Sequence, residues 1–177
     1  MELREVMQKR KSIRQYLTTP VEEEKVKAMI EAAILAPTWK NAQEIRYYVA
    51  VSEEKRQAVL DALVEGNRKK TQNAPVFLIS AVILNRAGFQ KDGSADNELG
   101  NGWGCYDLGL QNENLILKAT DLGLSTLIMG LREADRLREI LNIPETETIV
   151  SVIAVGKAAE EPIRPHRKPI EEIAKFF

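Results

Sequence analysis

Cysteine and histidine are nearly absent from this chain of 177 residues, which contains one of each, Cys105 and His166. A single cysteine excludes an intramolecular disulfide, and two such side chains are too few for a structural zinc site, which normally takes four. A Ser-His-Asp triad would depend on His166, which lies in a proline-rich basic segment. An enzyme with so few ionisable catalysts is expected to take its chemistry from a bound cofactor.

An excess of charge of either sign is also missing, since 25 Lys and Arg residues stand against 26 Asp and Glu residues. Nucleic-acid binding takes much of its affinity from a basic excess, so a nucleic-acid partner is not expected. No apolar run approaches the about 20 residues of a membrane span, and the charged start has no signal-peptide core. The sequence therefore predicts a cytoplasmic protein with no membrane partner and, from its length, one domain over residues 1–177.

The spacing of apolar residues predicts an α+β fold in which helices outweigh strands. Helices are predicted over residues 3–10, from Thr19 to before Pro37, from Ser52 to Gly66, and over 108–122 and 132–141. Thr19 is the expected cap of the second helix, with Pro20 at its first position and Glu22 completing a capping box. Strands are predicted over 47–51, 75–82, 124–129 and 148–155, and a long surface loop over 85–104.

Two basic segments are candidates for an anion site. In an extended segment alternate residues share a side, which places Arg10, Ser12 and Arg14 together, and two guanidinium groups with a hydroxyl suit a phosphate or a polyol. The second segment, residues 164–169, is held extended by its prolines and would form another wall of such a site. Taken alone, each also fits a solvated basic surface, which is the commoner case for patterns this short.

Three further segments carry polar groups. Residues 123–132 form an apolar strand that runs into Gly130 and a predicted helix N-terminus, where an anion would be favoured. They contain neither a GxGxxG fingerprint nor a Walker A motif. Residues 36–43 combine proline, tryptophan and amides, which would suit a planar ring, and residues 67–70 place an amide and cations before a buried strand. Ordinary turns would look the same.

Together and in this order, the segments resemble the FMN-dependent nitroreductase family over nearly the whole chain. The resemblance is carried by residues 10–16 (RKSIRQY), Ala36-Pro37-Thr38 with Asn41 and Gln43, residues 114–119, residues 123–126 with Met129-Gly130, Val155-Gly156 and residues 167–173. The sequence departs from the family at position 44, where Glu44 stands in place of the proline that often follows the Asn-x-Gln element, and at Lys157-Ala158, where Tyr-Pro is frequent.

The resemblance implies a mostly antiparallel central sheet flanked by helices in an intertwined homodimer, with FMN at the interface. The implied FMN-binding residues are Arg10, Lys11, Ser12, Arg14, Pro37, Thr38, Asn41, Asn67, Lys70, Leu127, Ile128, Met129, Gly130, Arg167 and Lys168. Among them Arg10, Arg167 and Lys168 would neutralise the phosphate. The catalytic cations would be Arg14 and Lys70, because a positive charge near N1 and O2 of the reduced ring favours hydride acceptance at N5. No metal is implied.

The same resemblance implies an NAD(P)H-dependent FMN oxidoreductase that reduces a small acceptor, of the nitroaromatic or quinone class, by a ping-pong route. A flavin store or redox sensor without turnover would carry the same motifs. So would a reductive enzyme with a dedicated substrate, such as a dehalogenase or an enal reductase. A nucleic-acid module is disfavoured by the balanced charge.

Apolar side chains that have no apolar neighbour in sequence are candidates for burial in the implied dimer interface. Pro37 and Trp39 have no obvious apolar residue nearby, and the amphipathic tail, residues 170–177, ends in Phe176-Phe177. An exposed apolar patch is a candidate interface, and most symmetric oligomers are two-fold dimers. The resemblance implies that both features are buried on a partner subunit; a monomer whose tail packs on its own core is the alternative.

Overall fold

The sheet at the centre of the molecule contains four antiparallel strands, as seen in a computed structural model that describes residues 1–177. The strands are β1 (Ile45–Ala50), β2 (Val76–Ile83), β3 (Ser125–Met129) and β4 (Glu147–Gly156). Their order is β1-β2-β4-β3, so β1 and β3 form the edges and β4 lies inside the sheet. The predicted α+β class and the antiparallel pairing are confirmed.

Seven helices surround the sheet. They are α1 (Leu3–Lys9), α2 (Glu23–Ile34), α3 (Glu53–Asp61), α4 (Glu65–Thr71), α5 (Gly102–Asp121), α6 (Ala134–Leu141) and α7 (Ile170–Ile173), with a 3₁₀ turn over Trp39–Asn41. The predicted start of α3 at Ser52 is confirmed, since Ser52 Oγ caps the helix by accepting a hydrogen bond from the Lys55 N–H at 3.2 Å. None of these helices is both long and apolar enough to cross a membrane.

Strand β2 lies between two apolar layers. Its alternate residues point to opposite faces, so that Phe77 and Ile79 pack with Leu137 of α6, whereas Leu78 packs with Leu115 of α5. All five side chains are fully buried. A strand covered on both faces carries a continuous apolar run, which is why this element was the clearest in the sequence.

Three predicted helix ends are wrong. At each of them the chain makes a contact with a residue distant in sequence. Helix α2 begins at Glu23 and not near Thr19, because the chain remains extended where the Leu17 N–H donates to Lys157 O at 2.9 Å. Helix α3 ends at Asp61 and not at Gly66, which lies inside α4. The chain leaves α3 to form a bridge between Leu63 and Arg132, which also delays the start of α6.

The ends of two other elements differ from the prediction. Helix α5 begins at Gly102, six residues before the predicted start at Leu108, so the surface loop closes earlier. Only Ile170–Ile173 of the predicted amphipathic tail is helical. The tail does not pack on the core of its own chain: Phe176 and Phe177 are fully solvent-exposed or nearly so.

Candidate functional site

The first basic segment lies beside the edge strand β3. Ser12 forms a parallel bridge with Thr126, and the Ile13 N–H donates to Thr126 O at 3.1 Å. Ile13 is buried in the core, whereas Arg14 is exposed and Ser12 half-buried. The extended conformation that the sequence predicts is therefore confirmed, and the buried isoleucine fixes which side of the segment faces outward.

A small cavity of about 80 Å³, which we call the basic cavity, joins the two basic segments. Its polar lining consists of Arg10, Lys11, Ser12, Arg14, Arg164 and Arg167. The two segments are about 150 residues apart in sequence, and the structure brings them together as predicted. Five cations and one hydroxyl in such a space favour an anion of the size of a phosphate.

The cations of the basic cavity differ in how much of their charge is already compensated. Lys11 forms an ion pair with Glu161. Arg164 donates to Gln8 O at 3.1 Å and Arg167 to Pro165 O at 3.4 Å, but neither they nor Arg10 have a carboxylate partner. Lys11 is thus the one cation of the basic cavity whose charge is compensated by a carboxylate, and the four arginines are available to an anion.

A wide cavity of about 690 Å³ shares Arg14 with the basic cavity. Its lining includes Tyr16, Lys69, Lys70, Asn73 and Glu160. Burial, followed by the charge of Glu160, raises the pKa of Tyr16, so its phenol stays neutral and forms a wall. Arg14 and Lys70, the two predicted catalytic cations, therefore face the same space.

Asn67 and Lys168, both predicted to bind FMN, lie outside both cavities and make other contacts. The Asn67 Nδ2 donates to Leu131 O at 3.1 Å, so this amide ties α4 to the segment after β3. Lys168 forms an ion pair with Glu172 at 3.4 Å within the exposed tail. The side chains of Asn67 and Lys168 therefore each have a partner within the chain.

The residues predicted on β3 alternate between the core and the surface. Leu127 and Met129 are buried, whereas Ile128 and Gly130 are exposed. A flavin could touch Leu127 and Met129 only through their main-chain groups. The anion-binding helix N-terminus expected after Gly130 is not there, because α6 begins at Ala134 behind an acidic residue, Glu133.

The segment 36–43 lies at a separate cavity of about 220 Å³. Thr38 and Asn41 line it, whereas Pro37 is exposed and outside it. This cavity and the two cavities described above have no lining residue in common. Within one chain, the structure does not bring these predicted flavin contacts to the basic cavity.

The environment of Trp39 differs from the prediction. Its ring packs on that of Trp103 from α5, with centroids 4.4 Å apart, and its Nε1 donates to Asp96 at 3.2 Å. Trp39 therefore has an apolar neighbour in its own chain. The sequence did not reveal this pairing because the two residues are 64 positions apart.

A buried acidic pair beside this segment was also missed by the sequence analysis. Glu44, next to the segment, and Asp107 of α5 are both buried. Burial, followed by the nearby Asp107 carboxyl, raises the pKa of Glu44 to about 7. The only indication in the sequence was that position 44 is a glutamate where the family often has a proline.

Fold and cavities together define an α+β protein that presents an anion-binding cavity next to a wide polar cavity at the edge of its sheet. The chain matches the model of the Nitroreductase family over residues 7–157. It belongs to the nitroreductase family, and the family resemblance seen in the sequence is confirmed.

Individual relatives are distant in sequence but similar over most of their length. The chain is 27% identical to the FMN reductase [NAD(P)H] of Bacillus subtilis over 172 residues, covering 92% of this chain and 68% of the relative. It is 27% identical to the NADPH-flavin oxidoreductase of Vibrio harveyi over 162 residues, covering 90% and 67%. The crystal structure of a nitroreductase family protein from Streptococcus pneumoniae superimposes with a TM-score of 0.87 at 21% identity, covering 99% of this chain and all of that one.

Proposed function

We propose that the chain is an NAD(P)H-dependent FMN oxidoreductase that reduces a small nitroaromatic or quinone acceptor by a ping-pong route. The observation that carries the proposal is the basic cavity, where Arg10 and Arg167 have no carboxylate partner, joined through Arg14 to the wide cavity. Family membership and the names of the relatives, FMN reductase and NADPH-flavin oxidoreductase, support the same cofactor and electron donor.

The side chains present fit FMN. Its phosphate carries about two negative charges near neutral pH, as a phosphomonoester does. Arg10 and Arg167 would balance that charge, and Ser12 would contact the phosphate or the ribityl chain. A wide cavity of about 690 Å³ lies within the usual range for cofactor sites and would receive the ring. When bound, FMN supplies hydride and electron transfer between the nicotinamide and the acceptor.

Within this site the cations of the chain have different tasks. Arg14 and Lys70 would stand near the pyrimidine edge of the ring and stabilise negative charge there. Tyr16, which burial keeps neutral, would form part of the wall of the wide cavity without adding a charge. Main-chain groups of residues 127–130 would line the side of the ring. None of these tasks requires a nucleophile, in accord with the lack of catalytic cysteine and histidine.

We also propose that the site is completed in a homodimer. Thr38 and Asn41 line a cavity separate from the basic one, so they can face a flavin only if it is bound by a partner subunit. The tail offers a matching apolar surface, since Ile170, Ile173, Phe176 and Phe177 are all exposed. Covering them with a second copy would remove a large apolar patch from water.

The proposal is tested by adding FMN to the purified protein and then mixing it anaerobically with NADH or NADPH in a stopped-flow spectrometer. Shifted flavin absorption bands, rapid bleaching and reoxidation by a nitroaromatic or a quinone are expected. Free-flavin bands after addition of FMN would contradict the site. Bound flavin that bleaches only slowly with both nicotinamides would indicate a store or sensor.

A further inference from the structure

Glu44 is a fully buried acidic side chain without a hydrogen-bond donor. Its exposed fraction is 0%, and neither carboxylate oxygen has a partner. A buried charge left unpaired is costly, so the side chain needs a proton or a cation. The charge of Arg86 acts on it, but Arg86 donates no hydrogen bond to either oxygen.

The group that faces Glu44 from α5 is a second carboxyl group, that of Asp107. It is 3% exposed and lies close enough to Glu44 to raise the pKa of that side chain. Two ionised carboxylates are both acceptors, so they can bond only if one carries a proton. Asp107 Oδ2 already accepts a hydrogen bond from the Trp39 N–H at 2.6 Å, whereas neither oxygen of Glu44 has a donor. The proton therefore belongs on Glu44.

The acidic pair lies against a strained segment, residues 39–44, of which Glu44 is the last residue. Lys40, Asn41 and Gln43 all have positive φ, at 48°, 56° and 50°. Residues other than glycine adopt this conformation only when their surroundings hold them there. Asp107 contacts the first residue of the segment through the Trp39 N–H and lies beside Glu44, the last residue, so one side chain of α5 reaches both ends.

We propose that Glu44 and Asp107 share one proton, and that the resulting hydrogen bond holds residues 39–44 against α5. The two acids are then positioning residues for Thr38 and Asn41. Thr38 is included because its Oγ1 accepts a hydrogen bond from the Gln43 N–H at 3.2 Å. This hydrogen bond concerns the chain alone, whereas its consequence for FMN binding rests on the proposed function.

The charges around the pair determine the direction of the pH effect. Apart from Asp107 and Arg86, three charged groups lie at the segment. Lys40 and Asp96 form an ion pair with each other at 2.8 Å, and the Arg46 guanidinium donates to Gln43 O at 3.1 Å. Burial and Asp107 raise the pKa of Glu44 to about 7. The segment is thus held at low pH, where Glu44 keeps its proton, and is released as the pH rises through that value.

The two tryptophans of the chain report directly on this segment. Trp39 and Trp103 are the only ones, and their rings are in contact. Tryptophan emission is therefore recorded against pH, from about 5 to about 9, on the full-length protein as purified and after removal of any flavin. The single histidine, His166, lies in the exposed tail, so the titration is performed in a His166→Asn background.

A one-proton change of emission, with a midpoint more than two pH units above that of an exposed glutamate, is expected. Glu44→Gln should abolish the change and keep the low-pH emission. Asp107→Asn should move the midpoint to lower pH, because the like charge is gone, and it serves as the second variant should Glu44→Gln not fold. Glu113→Gln, an exposed acid on the same helix, is the matched control and should titrate as the parent does.

A flat titration of the parent, or a transition that persists in Glu44→Gln, would overturn the proposal. Infrared difference spectra across the transition should show a carboxylic acid carbonyl band that Glu44→Gln lacks. FMN affinity is measured over the same pH range in both proteins, and the ratio of the parent's affinity to that of Glu44→Gln should fall at high pH; the ratio is used because the ionisation of the FMN phosphate affects both proteins equally. If emission titrates as expected but this ratio does not change with pH, the shared proton is upheld and the role of the segment in flavin binding is wrong.

Discussion

Removing the guanidinium group of Arg10 or of Arg167 should weaken FMN binding on the order of tenfold to a hundredfold. Both side chains line the basic cavity, and neither is compensated by a carboxylate. One charge-assisted hydrogen bond to a phosphate contributes about 1.5–3 kcal/mol, and about 1.4 kcal/mol corresponds to a factor of ten in affinity. Lys11→Ala should cost less, because Lys11 already pairs with Glu161.

The affinity of each variant is measured by quenching of flavin fluorescence at one fixed ionic strength. Arg167→Lys keeps the charge but loses the planar fork, so it should recover only part of the loss. Lys27→Ala is the matched control: Lys27 is an exposed cation on α2 whose ion pairs are with Glu23 and Glu24, away from the cavities. If Arg10→Ala and Arg167→Ala both bind FMN as tightly as Lys27→Ala does, the phosphate is bound elsewhere.

Three further changes test other parts of the account. Arg14→Ala should lower the reduction potential of the bound flavin more than its affinity, because the charge is near the ring; an unaltered potential in a spectroelectrochemical titration would assign that role to Lys70. Deleting residues 170–177 should dissociate the dimer and release FMN together; light scattering that shows a monomer with flavin still bound would contradict the shared site. Gly156→Ala should destabilise the fold by about 1–3 kcal/mol, because the new Cβ would lie 2.6 Å from Pro75 Cδ and 3.1 Å from Tyr16 Cδ1; an unchanged midpoint in chemical denaturation would refute this.

Elements set by local chemistry were predictable from the sequence. Strand β2 carries a continuous apolar run because both of its faces are covered, and α3 begins at a serine whose hydroxyl bonds to the first turn. Arg10, Ser12 and Arg14 line one cavity, as the alternation of residues 10–14 predicts, although Lys11, which the alternation places on the other side, lines it too. In each case the pattern that determines the structure lies within a few neighbouring residues.

Features that depend on distant contacts were not predictable. The bridge between Leu63 and Arg132 ends α3 early, yet nothing near Asp61 in sequence indicates it. The stacking of Trp39 on Trp103 and the acidic pair depend on how α5 lies against the segment before β1. A buried glutamate looks like a surface glutamate in sequence, because its burial is decided by its neighbours in space.

The central claim is that the basic cavity binds the phosphate of FMN, and a comparison of FMN with riboflavin tests it most directly. Riboflavin has the same ring and ribityl chain without the phosphate, so it should lose the contacts to Arg10 and Arg167. At about 1.5–3 kcal/mol for each contact, FMN should bind more tightly than riboflavin by about a hundredfold or more. Equal affinities of the two flavins, measured by calorimetry under identical conditions, would contradict the account.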